Sequence, residues 1–269
     1  MSMFSIIRTG IDSANKDIAV ISNNIANAST NGFKRSEAQF EDMYFSQHNN
    51  STEIATGMGV KNIKPRQSFS QGSFQQTGGS LDLAIMGEGF FILGEPISKN
   101  ALVRENETLS YTRDGSFQID QLGNIVNTDG LPMLGEGKQP INVPVSLVNN
   151  TGDPKIISEI RIDDSGTIQA TYGLDDTRIV GKILLADFVN EHGLQNVGNA
   201  RFVETGESGE PVEGFAKERS LGKILPGALE KSNTDITDEL VTMLRTQHAF
   251  SGFSKILQSE VDTVKRLIG

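Results

Sequence analysis

The chain of 269 residues has no cysteine, which excludes disulfide bonds, thiolate nucleophiles and cysteine-ligated metals. Proline is scarce, with 8 residues, and glycine is moderate, with 28, which argues against wholesale disorder. No apolar run approaches the roughly 18 residues that a membrane-spanning helix needs. The N-terminus has no basic segment followed by a continuous apolar one, so we expect no cleaved secretory signal.

The two ends of the chain lack the acidic excess that gives the whole its net charge of −10. Residues 1–35 hold four basic and two acidic side chains, and residues 235–269 hold four basic and five acidic ones. The acidic excess therefore lies in the middle, where it repels phosphate backbones. We expect no nucleic-acid partner.

Residue patterns that carry catalysis are missing as well. Three histidines lie far apart without metal-binding spacing, namely His48, His192 and His248. Gly87-Glu88-Gly89 lacks the third glycine of a dinucleotide fingerprint, and Asp163-Asp164 fits an ordinary turn. We predict a chain that is not an enzyme, with no catalytic residue, cofactor, metal or small-molecule substrate.

Both ends of the chain carry apolar residues at alternating intervals of three and four, the period of a coiled coil. Gln247 and Ser254 interrupt the second pattern, either as simple gaps or as polar residues that specify register among packed helices. The predicted assembly seam consists of Ile7, Ile11, Ile18, Ile21, Ile25, Leu240, Met243, Phe250, Leu257, Val261 and Val264.

The patterns predict an α+β fold. One helix is expected from about Ser2 to Ala28, and a second begins near 232–235, where four consecutive residues are good N-caps. Between them, short apolar runs alternate with Asp/Gly turns, which is typical of an antiparallel all-β domain. The predicted domains are the terminal helices (1–35 and 230–269), an extended connecting segment (36–70) and the inserted β-rich domain (71–229).

Four blocks of the sequence resemble the bacterial flagellar axial proteins, the rod and hook subunits. Ser22–Lys34 is similar to their N-terminal signature, and Gln71–Phe91 is similar to the block that opens their β domain. Tyr111–Phe117 matches the next block, and Gly227–Gln247 resembles the C-terminal signature. The likeness covers both ends and most of the middle of the chain.

The resemblance implies a structural subunit that assembles helically with copies of itself. Its terminal helices would pair into a coiled-coil-like inner domain of a hollow tube, with the β domain outside. The tube would transmit torque and pass exported subunits. The implied partners are neighbouring rod and hook proteins and the flagellar type III export apparatus. The implied location is the flagellar basal body, reached without a cleaved signal peptide.

Polar residues within the signatures are expected to cap helix ends and to bond to neighbouring subunits. The total length and Phe40-Glu41-Asp42 favour a rod-type (distal rod) subunit, whereas Ile162–Tyr172 has a hook-like pattern. A rod subunit is predicted, with a short hook subunit or a soluble β-domain enzyme as alternatives. The motif positions are Asn23, Asn24, Asn27, Thr30, Gly32, Asn233 and Gln247.

Overall fold

The computed structural model describes most of the chain and divides it into two compact units. The described residues are 3–47, 54–95, 109–144, 146–148, 154–173 and 176–268. The first unit contains residues 1–28, 34–68 and 234–269, and the second contains 29–33 and 69–233.

Two long helices dominate the first unit, α1 (Met3–Ala26) and α2 (Ile236–Ile268). Asp235 caps α2, because its carboxylate Oδ1 accepts the backbone N–H of Thr237 at 2.8 Å. Both predicted helices are confirmed. Within the described residues, neither helix is apolar enough along its length to cross a bilayer.

Residues 36–67 form strands that belong to the first unit. β1 (Ser36–Glu37) pairs antiparallel with β4 (Arg66–Gln67), and β2 (Phe40–Gln47) pairs antiparallel with β3 (Ile54–Asn62). β3 lies on α1, where Gly59 adopts φ +100° and a side chain at that position would collide with Thr9. The segment is thus a ribbon packed on a helix, where a connecting segment was predicted. The predicted domain boundaries stay predictions.

In the part of the second unit that the structure describes, sixteen strands are joined by antiparallel ladders. Six of them form one sheet in the order β16-β17-β8-β7-β15-β18, four form a second sheet in the order β11-β12-β13-β14, and the rest pair as β5 with β20, β6 with β19 and β9 with β10. The strands are β5 (Phe74–Gln76), β6 (Leu83–Met86), β7 (Phe90–Leu93), β8 (Ser110–Thr112), β9 (Gln118–Ile119), β10 (Ile125–Val126), β11 (Ser146–Val148), β12 (Pro154–Ile162), β13 (Thr167–Tyr172), β14 (Asp176–Lys182), β15 (Leu184–Asp187), β16 (Gln195–Gly198), β17 (Arg201–Val203), β18 (Val212–Phe215), β19 (Lys223–Pro226) and β20 (Ala228–Glu230).

The core of the second unit consists of two apolar clusters on opposite sides of β7. Phe91 and Leu93 belong to one cluster, and Phe90 and Ile92 belong to the other. Since successive side chains of a strand point to opposite faces, this arrangement explains why β7 is apolar at every position. The predicted antiparallel β domain is confirmed, and the fold is α+β.

Candidate functional site: the terminal-helix pair and the motif junction

The two terminal helices lie against each other and run in opposite directions. The ring of Phe253 packs where Gly10 has no side chain, since a Cβ there would lie 3.2 Å from it. One heptad along α1, the carboxylate of Asp17 accepts the hydroxyl of Thr246 at 2.7 Å. A further heptad on, the amide of Asn24 donates to Glu239 at 3.2 Å. A step of seven residues towards the C-terminus of α1 therefore corresponds to a step of seven residues towards the N-terminus of α2.

The pair covers the predicted assembly seam unevenly. The seam residues of α1 are better covered than those of α2, where Leu240 and Val264 are about half exposed. Complete burial of the seam in a polymer stays a prediction. Ile7 and Ile21 are buried, while Ile11, Ile18, Ile25, Met243, Phe250, Leu257 and Val261 are partly buried.

The first half of α2 also carries apolar side chains that face solvent. Leu240 lies on this surface together with Ile236, Val241 and Leu244, and Leu244 is 57% exposed. Their spacing places them on one side of the helix, away from Glu239 and Thr246, which contact α1. We call these four residues the exposed stripe. A contiguous exposed apolar surface is typical of an interaction site.

Asn24 is the most deeply buried of the polar motif residues on α1, at 1% exposure. Its side-chain oxygen accepts the N–H of Ser36 at 2.9 Å, and its amide donates to the carbonyl of Ser36 at 2.8 Å and to Glu239. Both amide hydrogens are used inside the chain. In the single chain, α2 and β1 already engage Asn24, and whether it also bonds to a neighbouring subunit stays a prediction.

The other polar motif residues of the helices lie nearer the surface. The carbonyl of Asn23, near the end of α1, accepts both the side-chain amide of Asn27 at 2.9 Å and its backbone N–H at 3.1 Å. Asn23, Thr30 and Gln247 are exposed. Whether these three contact neighbouring subunits stays a prediction.

In the second unit, the ends of the two signatures meet at what we call the motif junction. Gly32 adopts φ +65°, its N–H donates to the carbonyl of Glu230 at 2.8 Å, and a side chain there would fall on the backbone of Arg113 and Asp114. Only glycine meets both demands, which explains its place in the signature.

Further hydrogen bonds from Lys231 and Asn233 hold the motif junction together. The Lys231 ammonium donates to the side-chain oxygen of Asn31 at 3.0 Å. The side-chain amide of Asn233 donates to the carbonyl of Ser70 at 3.0 Å, and its backbone N–H donates to the carbonyl of Phe33 at 3.4 Å. The motif residues Gly32 and Asn233 thus hold the chain ends of the β unit together.

A buried ion pair anchors the motif junction. Arg113 and Glu230 are 3% and 1% exposed, with Nη1 and Oε2 3.7 Å apart. Glu230 also accepts the N–H of Gly72 at 2.9 Å, while Arg113 donates to the carbonyl of Gly87 and lies over the ring of Phe90. Burial lowers the pKa of the Arg113 guanidinium, and the Glu230 carboxylate opposes that shift.

The groups considered for chemistry have structural roles where they are described. Desolvation raises the pKa of the Asp163 carboxyl, but the hydroxyl of Ser165 and the backbone N–H groups of Thr167 and Ser165 donate to it and lower that pKa overall, which supports the predicted turn. His192 and His248 are exposed, and His48 lies outside the described residues. Across the described ranges, no cluster of side chains has the composition of a metal site.

Sequence reasoning missed the polar partners inside the helix pair. Asp17, Glu239 and Thr246 lie one position away from the apolar seam, so the seam pattern passes over them. Their signal is the heptad interval that they share with Asn24, Gly10 and Phe253. It becomes informative only once the helices are known to be antiparallel and in this alignment.

A chain whose two ends pair as long helices, with signatures joined by structural hydrogen bonds, belongs to the class of structural subunits. Three family profiles identify it further, and the chain belongs to the flagellar rod and hook protein family. They describe the flagella basal body rod protein (residues 11–34), the flagellar hook protein FlgE/F/G D1 domain (84–170) and the flagellar basal body rod FlgEFG protein C-terminal (225–268).

Curated relatives match along almost the whole chain. The flagellar basal-body rod protein FlgG of Buchnera aphidicola subsp. Schizaphis graminum (strain Sg) is 35% identical, over 97% of this chain and 96% of the relative. FlgG of Borreliella burgdorferi is 31% identical, over 93% and 91%. The flagellar hook protein FlgE of Escherichia coli (strain K12) is 22% identical, over 98% and 99%. This family is one of structural proteins, which supports the prediction that the chain is not an enzyme.

Proposed function

We propose that the chain is a subunit of the flagellar rod, which self-assembles helically into a hollow tube that transmits torque and passes exported subunits. The observation that carries this proposal is the match, at 35% and 31% identity and nearly full length, to proteins named as basal-body rod proteins. The proposal places the chain in the flagellar basal body, exported without a cleaved signal peptide through the flagellar type III apparatus.

The exposed stripe supports self-assembly. Leu240 and Leu244 are apolar side chains about half exposed on a helix whose opposite side already contacts α1. A second copy of the chain is the proposed occupant, because subunits of a homopolymer bury each other's apolar surface. In this proposal the paired helices form a coiled-coil-like inner domain, and the neighbouring partners are other rod and hook proteins.

The second half of α2 supports a water-filled channel. Six of its exposed side chains recur at intervals of three and four and share one face of the helix, while the exposed Ile256, Val264 and Leu267 lie on another. All six side chains on this face are polar, and both signs of charge are present, so the surface is wettable. These residues are Lys255, Gln258, Ser259, Asp262, Thr263 and Arg266.

A short hook subunit is the alternative function. The Escherichia coli hook protein aligns over both chains almost completely, but the alignment runs over 413 positions against the 269 residues of this chain. The rod proteins align over 274 and 263 positions, close to the length of this chain. Both length and identity therefore favour the rod.

Replacing Leu244 with aspartate tests the function together with the exposed stripe. The residue faces solvent in the single chain, so Leu244→Asp should leave thermal unfolding unchanged while placing a charge in the proposed contact between copies. The source bacterium, with its own gene replaced by the variant, should lack the distal part of the rod when purified basal bodies are imaged. Thr242→Asp, which puts the same charge on another side of α2, is the control and should leave rods intact.

The deletion strain separates the two candidate functions. Loss of the chain should remove the distal part of the rod and everything assembled beyond it. Complete rods without hooks would instead establish the hook alternative. Normal rods and hooks in the deletion strain would refute both, and normal rods with Leu244→Asp would refute the role of the exposed stripe alone.

A further inference from the structure

We propose that four polar residues, Asp17, Asn24, Glu239 and Thr246, set the register of the terminal-helix pair. We call them the polar ladder. Asp17 bonds to Thr246, and Asn24 bonds to Glu239, one heptad apart on each helix. The biological role of the register rests on the proposed function, because a wrong register would displace every assembly surface of α2. These are positioning residues.

The apolar seam cannot set the register by itself. Its residues recur at intervals of three and four on both helices, so a shift of one heptad brings apolar residues opposite apolar residues again. Seam residues such as Ile11, Ile18 and Ile25 are identical in type. Apolar contact is also non-directional, so it distinguishes poorly between such alignments.

The polar ladder penalises a shift of one heptad in either direction. If α2 moves one way, Asp17 comes to face Glu239, and two carboxylates meet in a largely buried contact, which is unfavourable. If α2 moves the other way, Asp17 comes to face Phe253, where an aromatic ring offers its carboxylate no hydrogen bond. In the observed register, each carboxylate has a hydrogen-bond donor.

Burial makes these partners decisive. Asn24, Glu239 and Thr246 are all buried, and a buried polar group without a partner costs more than the same group in water. The Thr246 hydroxyl also has the Thr242 carbonyl of its own helix at 3.0 Å, so a shift deprives the Asp17 carboxylate of a donor rather than leaving the hydroxyl unpaired.

Asn24 also forms hydrogen bonds to Ser36, which follows α1 closely in the sequence. These bonds would therefore be kept if α2 slid along α1. The contacts that change with register are those to Glu239 and Thr246.

Gly10 and Phe253 add a steric constraint on the register, one heptad away from the pair of Asp17 and Thr246. The ring of Phe253 fills the space that the missing side chain of Gly10 leaves. A shift of one heptad that places the ring against Asp17 would bring Glu260, in place of the ring, opposite Gly10. Shape and hydrogen bonding thus select the same register.

Spin labels can report the register directly, because the chain has no native cysteine. Asn15 and His248 are exposed and lie level in the observed register, whereas Asn15 and Lys255 would lie level after a shift of one heptad. Seven residues of helix correspond to about 10 Å along the axis. Two double-cysteine variants, Asn15→Cys/His248→Cys and Asn15→Cys/Lys255→Cys, therefore give opposite results in the two registers.

The decisive variant is Asp17→Ala/Glu239→Ala, measured in both labelled backgrounds. It removes both polar pairs of the observed register, while a shifted register brings Asn24 opposite Thr246 and a small residue opposite Phe253. The 15/248 distance should lengthen and the 15/255 distance should shorten. The matched control, Asp12→Ala/Asp262→Ala, removes one exposed acid from each helix and should leave both distances as in the wild type.

Distances are measured on purified chain that circular dichroism shows to be helical. The spin-labelled chain is diluted with unlabelled chain that carries the same substitutions but lacks the two cysteines. Unchanged distances in Asp17→Ala/Glu239→Ala would overturn the inference. If that variant loses its helices, the exchange variant Asp17→Thr/Thr246→Asp decides, because it rebuilds a hydroxyl–carboxylate pair at the same level. A wild-type 15/248 distance there supports the inference, and a shifted or broadened distance overturns it.

The proposed function can fail independently of this inference. A wild-type chain with the short 15/248 distance that forms no rods would contradict the function and leave the polar ladder standing. A strain that builds rods normally while Asp17→Ala/Glu239→Ala keeps the wild-type distances would contradict the polar ladder alone.

Discussion

Replacing Glu230 with glutamine should destabilise the β unit, because it leaves the buried guanidinium of Arg113 without its counter-charge. Breaking a buried ion pair from one side costs about 3–5 kcal/mol. Glutamine keeps an oxygen for the Gly72 N–H, and Arg113 keeps its bond to the Gly87 carbonyl and its place over the Phe90 ring. We therefore expect the free energy of unfolding to fall by about 3 kcal/mol, the lower limit of this range.

The assay is urea unfolding followed by tyrosine fluorescence. The chain has no tryptophan and three tyrosines, of which Tyr111 and Tyr172 are buried in the β unit. Glu159→Gln is the control, since Glu159 pairs with Arg161 in solvent and such pairs contribute under about 1 kcal/mol.

A double-mutant cycle isolates the ion pair from the rest of the motif junction. Arg113→Met alone should lower the free energy of unfolding about as much as Glu230→Gln, because it leaves the buried Glu230 carboxylate without its counter-charge. The double variant Arg113→Met/Glu230→Gln should lose clearly less than the sum of the two, because no uncompensated charge remains. Additive losses, or a Glu230→Gln variant within about 1 kcal/mol of the wild type, would refute the reasoning.

Two further changes test the motif junction by the same unfolding assay. Gly32→Ala should lower the free energy of unfolding by more than the roughly 1–2 kcal/mol that a left-handed alanine costs, because its Cβ would lie 2.7 Å from the carbonyl carbon of Arg113. Gly78 has φ +74° and open space around it, so Gly78→Ala should lose only that amount. Equal losses would contradict the predicted collision. Burial raises the pKa of Asp114 above its ordinary value of 3.8, so its ionised form destabilises the fold at neutral pH. Asp114→Asn should therefore stabilise the fold at pH 7, and the gain should vanish as the pH falls through the folded pKa towards the ordinary value; a gain that is constant with pH would contradict this assignment.

Local signals made much of the fold predictable from the sequence. Asp235 was among the residues expected to cap α2, and its carboxylate does so. The apolar run Phe90–Leu93 predicted a strand, although its burial on both faces became clear only with the two clusters of the core. Each of these features depends on residues close together in the chain, which is why a pattern could find them.

Features that depend on distant residues were not predictable. Asn24 fits the end of a helix by sequence, yet its environment is fixed by Glu239, at the other end of the chain. Arg113 and Glu230 both stand in family signatures, but nothing in either signature indicates that they form a buried pair. Such partners follow from register and topology, which composition and periodicity leave open.

The two sides of α2 differ in how strongly their contacts depend on the register of the helix pair. Glu239 and Thr246, on the side towards α1, form directional hydrogen bonds to Asn24 and Asp17, whereas Leu240 and Leu244 present apolar surface that many partners would satisfy. An apolar surface is non-directional, so it places a second copy correctly only if the helix that carries it is already in register. A subunit with a shifted helix pair would therefore present the exposed stripe about 10 Å out of place.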